Sequence, residues 1–126
     1  MTVLQDRPFP AMNDTAVVDA DAMRDAAESA CALMKALANP DRLLLLCVLT
    51  EGERNVGELQ EATGILQPTL SQQLGVLREE QLVDTRRDGR NIYYRVASPQ
   101  ALAVLEVLYA QYCTVPSRTR KPRNPR

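Results

Sequence analysis

The chain has 126 residues, of which 45% are apolar, and carries a net charge of −1. A chain of this length buries well over half of the surface of its unfolded state, so one domain can fold without a disulfide or a metal ion. The longest apolar run, Leu43–Leu49, is far too short to span a membrane, and no signal peptide is expected. We therefore expect no membrane contact and a cytoplasmic location, in which the three cysteines stay reduced.

The two ends of the chain differ from its middle. Residues 1–18 mix Pro, Asn and Asp without periodicity and predict a flexible N-terminal arm. Residues 115–126 carry five basic residues and no acid, which predicts a basic flexible tail. Such a tail either stays solvated, as charged Pro-rich termini usually do, or binds phosphate non-specifically. The folded domain is expected to span residues 19–114.

Two helices are predicted first in chain order. From Asp19 to about Leu37 the sequence is Ala-rich, and its larger apolar residues recur at helical spacing. Asn39 is a favoured N-cap and Pro40 a favoured first residue, so a second helix begins there and runs to about Thr50. This second helix is apolar almost all round, which is typical of a helix in a core or an interface.

A pair of short helices joined by a glycine-containing turn follows. Asn55, with Glu58 three positions later, forms a capping-box pattern that starts the third helix, and Gly64 ends it. The fourth helix begins at Gln67-Pro68. Its apolar stripe consists of Leu70, Leu74 and Leu77. This arrangement is typical of a helix-turn-helix motif, whose second helix enters the major groove of DNA.

A β-hairpin and a fifth helix complete the predicted fold. Two β-rich runs, Leu82–Arg87 and Arg90–Val96, flank Asp88-Gly89, a dipeptide typical of hairpin turns. Ser98-Pro99 then caps a last helix whose apolar face is wider than one small domain needs. The order α-α-α-α-β-β-α predicts a mainly α fold with a two-stranded β-hairpin, the winged helix-turn-helix.

The polar face of the fourth helix and the hairpin supply candidate DNA contacts. Gln, Ser and Thr side chains can hydrogen-bond base edges, and arginines can neutralise phosphates or enter a narrow minor groove. A polar helix face alone is usually just a surface, and charges on exposed strands also protect sheet edges. The two motifs side by side favour DNA binding. The candidates are Gln67, Thr69, Ser71, Gln72, Gln73, Arg78, Arg86, Arg87 and Arg90.

Local sequence alone does not show which of the three cysteines, if any, senses a chemical signal. A free cysteine often fills space as a small apolar residue, which is the simplest interpretation of Cys47 in its Leu-rich helix. Cys113 lies near a helix C-terminus, where the dipole disfavours a thiolate. Cys31 has Lys35 one turn ahead and Glu28 one turn behind, and their effects oppose each other. Local sequence therefore identifies no reactive thiol.

Four segments of the chain resemble the ArsR/SmtB family of winged-helix repressors. They are Ala36–Leu43, Val56–Leu59, Gln67–Arg78 and Arg90–Arg95. The resemblance extends over roughly residues 20–113 and is strongest to the sulfide- and persulfide-responsive branch, the BigR and SqrR type. It implies a homodimer that binds a double-stranded DNA operator with two-fold symmetry. It also implies a redox-sensing pair, Cys47 and Cys113, that sulfane sulfur or persulfide links to relieve repression.

The chain departs from the metal-sensing relatives at both of their usual sites. Asn55–Glu58 stands where those relatives carry a Cys-x-Cys pair, and no His is present for a site on the last helix. We therefore expect no metal ion and no other cofactor. Two alternatives remain: the same fold binding a thiophilic ion such as As(III) through Cys31, Cys47 and Cys113, or an architectural or protein-interaction winged helix. The sequence contains no recognisable nucleophile–base pair or phosphate loop, so we do not expect an enzyme.

Overall fold

The computed structural model describes residues 19–113. The predicted N-terminal arm, residues 1–18, and the basic tail, residues 115–126, lie outside this part. The elements within it are, in order, α1 (Ala20–Leu37), α2 (Pro40–Leu49), β1 (Arg54–Asn55), α3 (Val56–Thr63), α4 (Thr69–Glu79), β2 (Val83–Asp88), β3 (Asn91–Val96) and α5 (Pro99–Tyr112). No helix within residues 19–113 has the length and hydropathy that a membrane crossing requires.

Three of the helices, α2, α3 and α5, begin at the capping residues that the sequence indicates, whereas α4 begins at Thr69, just after the predicted Gln67-Pro68. The side chains of Asn39 and Ser98 each accept a hydrogen bond from the backbone N–H three residues later, at 3.0 Å. At α3 the capping box is complete, since Asn55 and Glu58 each accept a hydrogen bond from the other's backbone N–H, at 2.8 and 2.9 Å. Gly64 closes α3 with a φ of 77°, which a residue without a Cβ adopts at no steric cost.

The predicted hairpin is present, but its two-residue loop lies one residue later than the predicted Asp88-Gly89 turn. Its strands pair from Val83 with Val96 to Asp88 with Asn91, so Gly89-Arg90 forms the loop. Gly89 has a φ of 66° at the first central position, as a type II′ turn requires. This turn places Arg90 at the tip of the wing.

A third strand adds to the predicted two-stranded hairpin. The two residues of β1, Arg54 and Asn55, pair antiparallel with Tyr94 and Tyr93 of β3, which gives the strand order β1-β3-β2. Two residues carry too little pattern to be recognised as a strand in a sequence. The strand fastens the base of the wing to the chain just before α3, and the winged helix-turn-helix is otherwise as predicted.

The described residues divide into two compact units, 19–34 and 35–113. In the described part of the first unit, residues 19–34, every residue except Leu33 is exposed. The described part of the second unit contains a leucine-rich core to which α2, α3 and α4 contribute. The largest fully buried side chains are Leu45, Leu46, Leu59, Leu70 and Leu77. Because α2, α3 and α4 share this core, it fixes which face of α4 points outward.

Candidate nucleic-acid interface and thiol pair

α4 presents polar side chains on the side away from its three buried leucines. Consecutive residues of a helix lie about 100° apart around its axis, so Ser71 and Gln72 point away from the core, and both are exposed. Thr69 is half-buried at the first position of the helix, and Arg78 is exposed in the last turn. Gln67 precedes the helix, and its Oε1 accepts a hydrogen bond from the backbone N–H of Ser71 at 3.1 Å.

Gln73 is held against the rest of the fold. Its half-buried side chain accepts a hydrogen bond through Oε1 from Nη1 of Arg42 at 2.9 Å. The same guanidinium donates from Nε to the carbonyl oxygen of Ala36 at 2.6 Å and from Nη2 to that of Lys35 at 3.1 Å. The carbonyl oxygen of the Gln73 side chain is therefore occupied inside the protein, unlike the side chains of the outward-facing residues of α4.

The three wing arginines have different surroundings. Arg86 forms an ion pair with Glu53 at 2.6 Å, and its guanidinium lies 4.9 Å from the ring centroid of Tyr93. The hydrogen bond from Arg86 lowers the pKa of Glu53, and the same bond raises the pKa of Arg86. Arg87 and Arg90 are exposed. Across residues 19–113 their side chains have no ion-pair or hydrogen-bond partner, so these two cations are available to an external anion.

Sequence reasoning missed two residues that organise this surface, Arg42 and Glu53. Each acts on a partner far along the chain, Gln73 at 31 positions and Arg86 at 33 positions. Periodicity and capping motifs operate over a few residues, so neither pairing has a local signal. The sequence could have indicated only that Arg42 stands within a helix whose other side chains are mostly apolar.

Cys47 lies on α2 and Cys113 at the C-cap of α5. Cys47 is half-buried, and Cys113 is exposed. Burial raises the pKa of the Cys47 thiol most, and the negative charges of Cys113 and Glu51 raise it further. The fold therefore brings two thiols that are distant in sequence within range of each other's charge.

The third cysteine, Cys31, and the other possible metal ligands of the described residues form no metal-binding group. Cys31 is exposed on α1, in the first unit. Within residues 19–113, no three side chains of His, Cys, Asp or Glu are grouped so that they could hold a metal ion.

A helix-turn-helix with an outward polar face, followed by a hairpin with two unpaired arginines, defines a winged helix-turn-helix DNA-binding protein. The family described as bacterial regulatory protein, arsR family, matches residues 39–85. Over 111 residues the chain is 45% identical to a biofilm growth-associated repressor of Agrobacterium fabrum, and the match covers 88% of this chain and 95% of that protein. The chain belongs to the ArsR family of bacterial regulatory proteins.

Solved structures agree with this assignment. The crystal structure of the transcriptional repressor BigR from Xylella fastidiosa matches with a TM-score of 0.70 and 45% identity, over 78% of this chain and 100% of that chain. A homodimeric winged helix-turn-helix DNA-binding domain from Mycobacterium bovis matches with a TM-score of 0.64 and 32% identity, over 77% of this chain and 89% of that chain. This protein is therefore a DNA-binding transcriptional regulator and not an enzyme, as the sequence predicts.

Proposed function

We propose that this protein is a homodimeric repressor, released from its operator when reactive sulfur species link Cys47 to Cys113. The observation that supports the proposal is that a thiolate at Cys113, at the C-cap of α5, raises the pKa of Cys47 on α2, so the two thiols are near each other in the fold. A regulator that acts on bacterial operator DNA works in the cytoplasm, where free thiols persist until an oxidising sulfur species arrives.

In this proposal α4 enters the major groove of the operator. Ser71 and Gln72 lie on its outward face near the N-terminus, where the second helix of such motifs meets base edges. Gln pairs well with adenine, and Ser accepts or donates as the base requires. Arg87 and Arg90 of the wing have no partner within the described residues, so they suit phosphate contacts or a narrow minor groove.

The homodimer is supported by the surface of α5. Tyr109 and Tyr112, three positions apart on one side of α5, leave 58% and 75% of their surface exposed, and adjacent exposed apolar side chains are typical of an interaction surface. The similar domain from Mycobacterium bovis is homodimeric. Two copies related by a two-fold axis would read two half-sites about 34–36 Å apart, which matches a symmetric operator.

The sulfur chemistry needs only the two thiols and a persulfide, RSSH. The exposed Cys113 thiolate attacks the outer sulfur of the persulfide, forms Cys113–S–SH and releases RSH. The Cys47 thiolate then attacks the sulfur of Cys113 itself, which gives a disulfide and releases the outer sulfur as hydrogen sulfide. The two thiols lose two electrons and two protons in all, and the sulfane sulfur is reduced to sulfide. A second RSSH inserts one more sulfur atom and releases a second RSH.

The resulting link would act on DNA binding through the helices that it joins. α2 packs against α3 and α4, so it belongs to the body that positions the recognition helix. α5 carries the exposed apolar residues of the proposed interface. A covalent tie between α2 and α5 would change how the two recognition helices of a dimer are spaced, and the dimer could no longer hold both half-sites at once.

The test combines mass spectrometry with DNA binding. The probe is an operator selected by the wild-type protein from a random-sequence duplex library, and the reactant is glutathione persulfide. We expect a Cys47–Cys113 link and a loss of operator affinity. The mass should fall by two hydrogens for the disulfide and rise by one sulfur atom less two hydrogens for the trisulfide. Cys47→Ser and Cys113→Ser should bind the operator normally and lose the response, whereas the matched control Cys31→Ser should behave as wild type.

Two outcomes would contradict the proposal. Release of the variant with both Cys47→Ser and Cys113→Ser by persulfide would mean that the signal enters elsewhere. Release by arsenite rather than persulfide, with a sharp loss of As(III) affinity in Cys31→Ser, would favour the three-cysteine ion sensor instead.

A further inference from the structure

One guanidinium joins three helices beneath the proposed DNA-binding surface. Arg42 of α2 donates to two backbone carbonyls in the last turn of α1, those of Lys35 and Ala36, and to the side chain of Gln73 on α4. All four residues belong to the second unit, and Ala36 is buried. The short donor–acceptor distances, 2.6 to 3.1 Å, indicate well-formed hydrogen bonds.

The position of Arg42 suits a cation. The last carbonyls of a helix lack partners within the helix and carry its partial negative charge, so a guanidinium there is stabilised. Arginine presents its donors in a rigid fork, which lets one side chain reach several acceptors at fixed angles. The backbone N–H of Arg42 is itself held by the side chain of Asn39 at 3.0 Å. The backbone and the guanidinium of Arg42 are therefore both held by hydrogen bonds.

The acceptor Gln73 lies next to the residues proposed to read DNA. It follows Gln72 directly, but the helix turns it about 100° toward the core, where its side chain is half-buried. A tether at this flank restrains rotation of α4 about its own axis. Such rotation would move Ser71 and Gln72 together, since both are rigidly attached to the same helix.

We propose that Arg42 and Gln73 are positioning residues for DNA recognition, which set the rotation of α4 through the hydrogen bond between Nη1 and Oε1. The proposal rests on the proposed function in one respect, that α4 reads the operator. Gln73 then contributes to specificity through Arg42 and Gln72 rather than by touching a base.

The test uses two substitutions at Gln73, each measured on the full-length protein with the library-selected operator and with random-sequence duplex. Gln73→Met keeps the length of the side chain and removes the acceptor. Gln73→Glu keeps an acceptor for Arg42, and its added negative charge weakens both duplexes alike. The readout is the ratio of operator affinity to random-duplex affinity, which partial unfolding does not change because it removes the same fraction of protein from both measurements.

We expect Gln73→Met to lower this ratio roughly 2-fold to 10-fold, the range that corresponds to one hydrogen bond. The reduction should be spread over all contacted base pairs of a half-site, with an unchanged salt dependence. Gln73→Glu should keep the wild-type ratio. Arg42→Lys retains the charge but lacks the forked donors, so it should lower the ratio as Gln73→Met does. The variant with both substitutions should have a ratio no lower than that of either single variant.

Other results would overturn the inference. An unchanged ratio in Gln73→Met would show that the tether does not affect recognition. Gln73 contacts a base directly if Gln73→Met and Gln73→Glu both change the preference at one base pair per half-site. In that case Arg42→Lys should leave the preference unchanged. A wild-type protein that does not prefer any duplex from the library would overturn the proposed function itself, and this outcome is visible before any variant is made.

Discussion

Arg86 of the wing is bound to Glu53, a residue just before β1. Nε and Nη2 of Arg86 donate to Oε1 of Glu53 at 3.0 and 2.6 Å, while the ring of Tyr93 lies beneath the guanidinium. Arg86 and Tyr93 face each other across β2 and β3. The contact therefore secures the hairpin to the segment that leads into α3, and it leaves this arginine less available to DNA than Arg87 or Arg90.

The first prediction separates the wing arginines by their salt dependence. Replacing both Arg87 and Arg90 with Gln should weaken binding to all duplexes and flatten the slope of log K against log salt, by about one for each phosphate that is no longer neutralised. Arg86→Gln should lower operator affinity without changing this slope, because its charge is already neutralised by Glu53. The measurement is fluorescence anisotropy over a series of salt concentrations.

Glu53→Gln provides the matched control for the wing. It removes the carboxylate that holds Arg86, so the freed guanidinium can reach a phosphate, and the salt dependence should become steeper. If the slope of log K against log salt becomes shallower in Arg86→Gln, as it does in the Arg87/Arg90 variant, then Arg86 binds DNA despite its ion pair.

The second prediction concerns base reading by α4. Ser71→Ala and Gln72→Ala should each weaken operator binding by about 1–3 kcal/mol and relax the preference at one base pair per half-site. Affinity for random duplex should change little, since neither side chain carries charge. Repeating the duplex selection with each variant would reveal the relaxed position, and an identical selected sequence would exclude direct readout by that residue.

The elements of the fold and the partners of its site differ in how far the sequence predicts them. Asn39, Ser98 and the Asn55–Glu58 box bond to backbone groups within three residues, so the helix starts could be predicted from local chemistry. The pairings of Arg42 with Gln73 and of Arg86 with Glu53 depend on how distant segments pack. The same packing separates Gln73 from its neighbours on α4, although all were equal candidates in the sequence.

The third prediction concerns Gly75, on the exposed side of α4. A Cβ built at Gly75 meets no atom within 4 Å in the described part of the protein, and the residue lies within the helix. Gly75→Ala should therefore raise the free energy of unfolding by about 0.5–1 kcal/mol, because glycine disfavours helix interiors. Operator affinity should nevertheless fall, since the added methyl stands between α4 and the floor of the groove.

Gly57→Ala is the control for this trade between stability and binding. Gly57 is also a helical glycine, on α3, and a Cβ there makes only an ordinary contact at 3.6 Å with Asn55 Oδ1. Urea unfolding should show a gain in stability for Gly57→Ala as well, with no change in the ratio of operator to random-duplex affinity. Unchanged operator affinity in Gly75→Ala would mean that α4 does not approach the groove closely at this point.

The fourth prediction tests the interface on α5. Tyr109→Glu places a carboxylate where the proposed dimer buries an apolar ring, and an unpaired buried charge costs several kcal/mol. We expect a monomer in light scattering and a large loss of operator affinity, because one molecule then holds one half-site. Gln100→Glu, which adds the same charge in the first turn of α5, should remain dimeric. A wild-type protein that is monomeric at micromolar concentration would contradict the interface.

The fifth prediction follows from the raised pKa of Cys47. Burial, a thiolate at Cys113 and the carboxylate of Glu51 all raise the pKa of Cys47, so its thiolate fraction at neutral pH is below that of an ordinary thiol. Because the thiolate is the reactive form, alkylation of Cys47 by iodoacetamide should be slow at neutral pH and should accelerate as the pH rises. Closure of the link to Cys113 should accelerate over the same pH range.

Glu51→Gln isolates one cause of this shift. Removing the carboxylate should lower the pKa of Cys47, increase its thiolate fraction at neutral pH and speed both its alkylation and the closure of the persulfide link. Cys113→Ser should lower the same pKa by removing the other charge, while alkylation of Cys31 should be the same in all variants and serves as the internal control. Peptide-resolved mass spectrometry of the alkylated protein gives each rate separately. If Cys47 reacts no faster in either variant, its slow reaction comes from burial alone, and the proposed electrostatic interaction between the two thiols does not control the switch.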